Sequence, residues 1–175
     1  STGICRLNAA GLTVMFEALG QMFIRAKHDG FFTQLCSAVF GLVGGQSEIH
    51  NRSQFQRLLS ALSGLSRCSS GQDKTLYQLF DACWPTLRGS IRLFVDTDDI
   101  LKQYLQLLQT FAEHQISRLP SASCLSLYQT AFEVFPIYHK RFSLVEVAVR
   151  TEQSDEEGIL FRNESCLQVL ELLNH

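Results

Sequence analysis

The feature that most constrains this chain is the period of its apolar residues. Leu12, Met15, Phe16, Leu19 and Phe23 recur at spacings of three and four, which sets them on one face of a helix predicted from about Leu7 to Lys27. Gly30 breaks that pattern. A second face, Phe32, Leu35, Cys36, Val39, Phe40 and Val43, ends at Gly44-Gly45, where glycine can take the left-handed conformation that stops a helix. Ser53 with Gln56 has capping-box spacing and opens a third helix with the stripe Phe55, Leu58, Leu59, Leu62 and Leu65. Asp73 is the expected cap of a fourth, carrying Leu76, Leu79, Phe80, Cys83, Trp84, Leu87 and Ile91, with a kink expected at Pro85. Thr97 caps a fifth, the clearest in the chain, through Ile100, Leu101, Tyr104, Leu105, Leu108, Phe111 and Ala112. Pro120 fits the first position of a sixth, whose expected inner face is Leu125, Tyr128, Phe132 and Phe135, with Pro136 near its end. Between Ile137 and Glu157 the pattern suits a strand-like loop or a short helix equally. Ser154 with Glu157 then offers a capping box for a last helix bearing Ile159, Leu160, Leu167, Leu170 and Leu173.

Helix starts near Leu7, Ser53 and Thr97 lie roughly 45 residues apart, the period of HEAT and armadillo repeats. A helix pair that is apolar on one face cannot bury that face alone, so neighbouring pairs stack. The expected fold is therefore all-α, a HEAT/armadillo-like α-solenoid of antiparallel helix pairs with about four repeats. The pairs are expected over about 7–45, 52–94 and 97–138, followed by a loop plus helix over 139–175. A compact helical bundle would show the same stripes. The chain has no initiator Met, and Leu167 to His175 still carries helical apolar spacing, so residues 1–175 read as one segment of a longer array.

Composition narrows function mainly by exclusion. Fifteen Lys and Arg against 17 Asp and Glu give a formal charge of -2, which hardly supplies the clustered basic surface that nucleic acid requires. His139-Lys140-Arg141 beside Phe135, Pro136 and Tyr138 superficially resembles such a patch, but suits a helix C-terminus, where cations complement the dipole. No uninterrupted apolar run reaches the roughly 18 residues of a membrane span, and Ser1 to Arg6 lacks the order of a signal peptide, so an intracellular protein with no membrane partner is expected. Six cysteines (Cys5, Cys36, Cys68, Cys83, Cys124 and Cys166) form no CxxC pair and lie on or beside apolar helical patterns. Zinc is not expected, and buried free thiols are. Asn51-Arg-Ser53 and Asn163-Glu-Ser165 match the glycosylation sequon, a pattern short enough to arise by chance.

Catalytic constellations are scarce. The nucleophile elbow, zincin, phosphate-loop and kinase strings are absent, and Gly41-Leu-Val-Gly44-Gly45 reads as a helix end. Cys83 or Cys124 with His114 lacks any local orienting group or oxyanion donor. Neither an enzyme nor a cofactor is expected. The candidate contact residues are acidic: Asp98, Asp99, Asp155, Glu156 and Glu157 lie at turns near predicted helix starts, where acids cap helices but also present negative charge to a basic partner.

The run Leu59-Ser-Ala-Leu-Ser-Gly-Leu-Ser-Arg-Cys-Ser-Ser70, followed by Tyr77-Gln-Leu-Phe-Asp-Ala-Cys-Trp84, resembles the later middle part of a nuclear export receptor of the importin-β superfamily. Thr97 to Leu119, Cys124-Leu-Ser-Leu-Tyr-Gln-Thr-Ala131 and the acidic lead-in Asp155-Glu156-Glu157 are similar to that family as well, and Leu7 to Phe55 more loosely. The resemblance implies a HEAT superhelix that carries protein cargo together with Ran-GTP through nuclear pores, touching nucleoporins and shuttling between nucleus and cytoplasm. It also implies that the principal Ran grip lies in repeats outside this chain. The alternative is a generic HEAT-repeat scaffold or adaptor segment that binds proteins without Ran.

Overall fold

The computed structural model describes the backbone of residues 8–26, 29–68, 73–115 and 119–149. Among the described residues there are six α-helices: α1 Ala9–Arg25, α2 Asp29–Gly41, α3 Arg52–Ser66, α4 Asp73–Ile91, α5 Asp98–Gln115 and α6 Ser121–Val149, with a short 3-10 turn, Arg92–Phe94, after α4. No strand occurs among the described residues. No described helix is long and apolar enough to cross a membrane.

Helix ends follow local chemistry, with some shifts from the sequence expectation. Asn8 caps α1, its Oδ1 accepting from the Gly11 amide at 2.8 Å. α3 is capped by Asn51, whose Oδ1 accepts from the Gln54 amide at 3.0 Å, so Ser53 lies inside the first turn and the expected Ser53–Gln56 box is not the cap. Asn51 wins because its side chain sits one residue ahead of the first helical residue, where an acceptor reaches an unpaired amide. Thr97 stands at the opening of α5 as expected, its carbonyl accepting from Leu101 at 3.1 Å. Pro120 precedes α6 rather than opening it, since the Cys124 amide donates to the Pro120 carbonyl at 3.0 Å. α2 stops as expected, with Gly44 at φ 61° and Gly45 at φ 69°. α4 passes through Pro85 to Ile91. α6 continues through Pro136 to Val149, which resolves 137–149 as helix and puts His139-Lys140-Arg141 in mid-helix instead of at a C-terminus. The second capping box and the last predicted helix lie outside the described residues.

Contacts arrange the helices in two files. α1 packs on α3 and α3 on α5; α2 packs on α4 and α4 on α6. Polar ties fix direction within a file. Arg52 pairs with Asp99 near the start of α3 and α5, while Gln115 at the end of α5 donates to the Ser66 carbonyl at the end of α3, so the two helices run the same way. Asp81 with Ser123 and Arg92 with Glu133 do the same for α4 and α6. The sequence separations are nearly constant, 47 and 49 for the α3–α5 ties and 42 and 41 for the α4–α6 ties.

The core lies where the files meet. Phe55 of α3 stacks on Phe94 at 5.3 Å between ring centroids, and Phe111 of α5 lies 4.1 Å from Phe80 and edge-on to Trp84 at 5.5 Å. The stripes predicted for α3, α4 and α5 are all buried. α3 is covered on more than one face, because Ser60, Ala61, Gly64 and Ser66 are buried as well. Its small residues admit α1 closely: a Cβ on Gly64 would strike the Thr13 carbonyl oxygen and lie 2.9 Å from the Glu17 amide nitrogen. α1 itself is only half-buried along Leu12, Met15, Phe16, Leu19 and Phe23, and its fully buried residue is Gly20, against Cys68.

The predicted inner face of α6 fails at Leu125 and Phe132, while Tyr128 is half-buried. Leu125 and Phe132 are 59% and 61% exposed, and the buried residues are Ser123, Leu127, Thr130 and Val134. α6 carries two apolar stripes, and the polar partners, Asp81 of α4 for Ser123 and Arg92 of the 3-10 turn after α4 for Glu133, select the weaker one.

Candidate binding surface

The acidic turn at the start of α5 is largely committed to the fold. Asp99 Oδ2 accepts from Arg52 Nη2 and from Gln56 Nε2, both at 2.8 Å, tying the first turns of α3 and α5 together. Burial pushes the Asp99 carboxyl up, but the Arg52 guanidinium and first-turn backbone amides outweigh it and hold the group below the usual carboxylate range. Both partners are about half exposed, so the pair contributes roughly 0.2–1 kcal/mol. Asp98 is exposed beside it. Asp155, Glu156 and Glu157 lie outside the described residues.

A groove of about 510 Å³ runs instead across the first file, with α3 as its floor and α1 and α5 as its walls. It exists because three parallel helices meet through small side chains on the floor, Ser60 and Ser63, while α5 presents a polar face opposite its buried stripe. That face carries Gln103, Gln106, Gln109 and Glu113, spaced by three and four residues and therefore in line along the helix. Thr13 and Val14 of α1 stand across from it. At the rim Arg67 Nη1 lies 3.3 Å from Glu17 Oε2, and Gln109 Nε2 donates to Glu113 Oε1 at 3.0 Å, a neutral donor that does not offset the Glu113 charge. The Gln103 side-chain oxygen, shielded from solvent, has no hydrogen-bond partner. A smaller recess of about 280 Å³ lies between α2 and α4, lined by Cys36, Phe40, Gln78 and Leu79 among others.

Two further polar seats hold the frame around the groove. Gln115 is fully buried and its Nε2 donates to the Ser66 and Cys68 carbonyls, covering acceptors that the end of α3 leaves free. On the other file, Ser90 Oγ accepts from the Ile49 amide at 2.8 Å and Thr86 Oγ1 donates to the Gln46 carbonyl at 2.9 Å, pinning the segment between α2 and α3 against α4.

The thiols are structural. Cys36, Cys68 and Cys83 are buried and free, and Cys124 is half-buried and free. Burial raises Cys36 and Cys83 to about 12 and Cys68 to about 11, with smaller contributions from neighbouring thiols and from Glu17, so none of the three is a thiolate at neutral pH. His114 is exposed on α5 while Cys83 is wholly buried in the core. Among the described residues no group of three or more His, Cys, Asp or Glu side chains is placed to hold a metal ion.

Sequence reasoning passes over the glutamines because they carry no charge and no catalytic signature. The signal is present nonetheless in Gln103, Gln106 and Gln109, three amides one helical turn apart on the polar side of the best-marked helix. Comparisons with protein-family models, with curated proteins and with solved structures find no match to this chain.

Proposed function

We propose that this chain is a segment of an α-solenoid of HEAT/armadillo-like antiparallel helix pairs, within a nuclear export receptor similar to exportin-4 that carries protein cargo with Ran-GTP. The observation that carries the architectural part is the constant separation of the ties within each file, 47 and 49 residues in one and 42 and 41 in the other. Helices that run the same way and recur at a fixed interval are what stacked repeats of about 40–47 residues produce. The transport part rests on the family resemblance of residues 59–70, 77–84, 97–119 and 124–131. In this reading the chain is not an enzyme and uses no cofactor; its buried polar residues serve packing, and its surfaces serve protein partners.

The test is nucleotide-dependent capture. Immobilised full-length receptor containing this segment is incubated with nuclear extract and Ran loaded with either GTP or GDP, and the retained proteins are identified. Cargo retained with Ran-GTP and lost with Ran-GDP is the expected result. Partner proteins retained equally in both states assign the segment to a generic HEAT scaffold or adaptor instead.

A further inference from the structure

The second file, α2–α4–α6, ends in matching surfaces. In α6, Ser123, Leu127, Thr130 and Val134 are buried toward α4. Leu125 stands two residues from Ser123 and Leu127, and Phe132 two from Thr130 and Val134. Two residues turn a helix by about 200°, so both side chains leave α6 on the side opposite α4. In α2 the side toward α4 is marked by Cys36 and Phe40, which line the shared recess with Gln78 and Leu79. Gln34 stands two residues from Cys36, Ala38 two from Cys36 and Phe40, and Phe31 nine before Phe40, so all three lie about half a turn away. The outward stripes share one pattern. Leu125, Gln129 and Phe132 on α6, and Phe31, Gln34 and Ala38 on α2, each set two apolar residues seven apart with a glutamine between, and all six are exposed. Phe23 of α1 stacks on Phe31 at 5.6 Å and backs it. Neither stripe is flanked by exposed charge: α2 has no charged residue from Gly30 to Gly41, and the other exposed residues among those described over 121–136, Ser121, Ala122 and Pro136, are neutral. By contrast α4, between them, exposes Lys74 and Asp81. A helix face open to water ordinarily carries charge, so the two neutral faces are those suited to being covered.

We infer that these two faces bind each other between copies of this chain, α6 of one copy seating against α2 of the next. The ties of α4 to α6 show that helices of this file run the same way, and a copy that continues the file keeps that direction. Leu125 then meets Phe31, Gln129 meets Gln34, and Phe132 meets Ala38, which sets the largest side chain of one stripe against the smallest of the other. Each glutamine amide holds both a donor and an acceptor, so the central pair makes a neutral tie. A formal charge of -2 on 175 residues adds little repulsion between copies. Because the two faces differ, the contact is head-to-tail, and every added copy presents a fresh open end. The inference rests on the stacked-file reading, but a chain that stays monomeric leaves the Asp81–Ser123 and Arg92–Glu133 ties, and so the files, in place.

Sedimentation equilibrium of the 175-residue chain over a wide concentration range reads the assembly. The expected result is a weight-average mass that climbs from 19.7 kDa past the dimer without a plateau. Phe132→Glu closes the α6 end and Ala38→Glu the α2 end, and each variant alone should associate at least about tenfold more weakly. Mixed in equal amounts, the two should form a dimer and stop there, since the intact α2 end of the first meets the intact α6 end of the second and both outer ends are blocked. A monomer at every concentration overturns the inference. So does dimerisation of Ala38→Glu alone, which means a symmetric contact between two α6 ends. If a variant loses its helical circular dichroism, a benzoylphenylalanine at Gln129 of the otherwise unaltered chain decides. Photocrosslinks to residues 30–41 of a second copy are the expected result, and crosslinks confined to any other part of either chain overturn it.

Discussion

Gly64→Ala places a methyl group where α3 meets α1, and the structure sets its consequence. The added carbon strikes the Thr13 carbonyl oxygen and lies 2.9 Å from both the Glu17 amide nitrogen and Phe16 Cβ. Two of those three atoms are helix backbone and cannot rotate aside, so relief requires α1 to move away as a body. On an open helix the same substitution would stabilise by about 0.5–1 kcal/mol through reduced backbone entropy of the unfolded chain. Overpacking of a tight contact costs roughly 1–3 kcal/mol, and a backbone neighbour argues for the upper end. The net expectation is destabilisation by about 2 kcal/mol, which for a chain of this size lowers Tm by about 4–8 °C. Gly30→Ala is the control, because a Cβ added there meets no atom within 4 Å, and its Tm should be unchanged or raised. Thermal unfolding followed by circular dichroism makes the comparison. A Gly64→Ala chain as stable as the original would refute the close approach of α1 to α3, and with it the geometry of the groove.

Gly20→Ala should also destabilise, but here the obstacle is the Cys68 side chain, so Gly20→Ala with Cys68→Ala should recover part of the loss in urea unfolding. Trp84→Ala opens a cavity beside Phe80 and Phe111 and should cost about 3–5 kcal/mol by the same measurement; an unchanged midpoint would displace Trp84 from the core. The folded-state pKa of Asp99 is depressed, so its contribution is present above the unfolded carboxylate pKa and is lost as pH falls through the folded value. Asp99→Asn should therefore lower stability by less than about 1 kcal/mol near neutral pH, and the gap should close as pH falls below the usual carboxylate range. Thiol titration of the native chain should leave Cys36, Cys68 and Cys83 unreacted, and all six cysteines should react after denaturation without reductant.

Most of the helical frame is legible in the sequence because three-and-four periodicity reports the buried face directly when a helix has one apolar stripe, as in α4 and α5. It fails when burial is shared or doubled. α3 is enclosed on several sides by means of serine, alanine and glycine, residues that periodicity counts as neutral. α6 has two stripes, and the choice between them is made by Asp81 and Arg92, residues 42 and 41 positions away in sequence. The groove is not legible as a site because its floor and walls come from three helices, and only their parallel register brings Thr13, Ser63 and Gln106 to one place. The acidic turns stand out through charge, yet Asp99 is engaged by Arg52 and Gln56, which no local pattern reveals.

The central architectural claim is that α1, α3 and α5 follow one another in a file instead of closing into a bundle. Nitroxide labels carried on unnatural amino acids, which leave the cysteines intact, can be placed in pairs at Val14 and Gln106 and at Ser63 and Gln106, and the distances measured by double electron–electron resonance. Packed helices lie about 8–10 Å apart, so the α1-to-α5 pair should exceed the α3-to-α5 pair by about one such spacing. Equal distances for the two pairs would mean a closed bundle and would contradict the account.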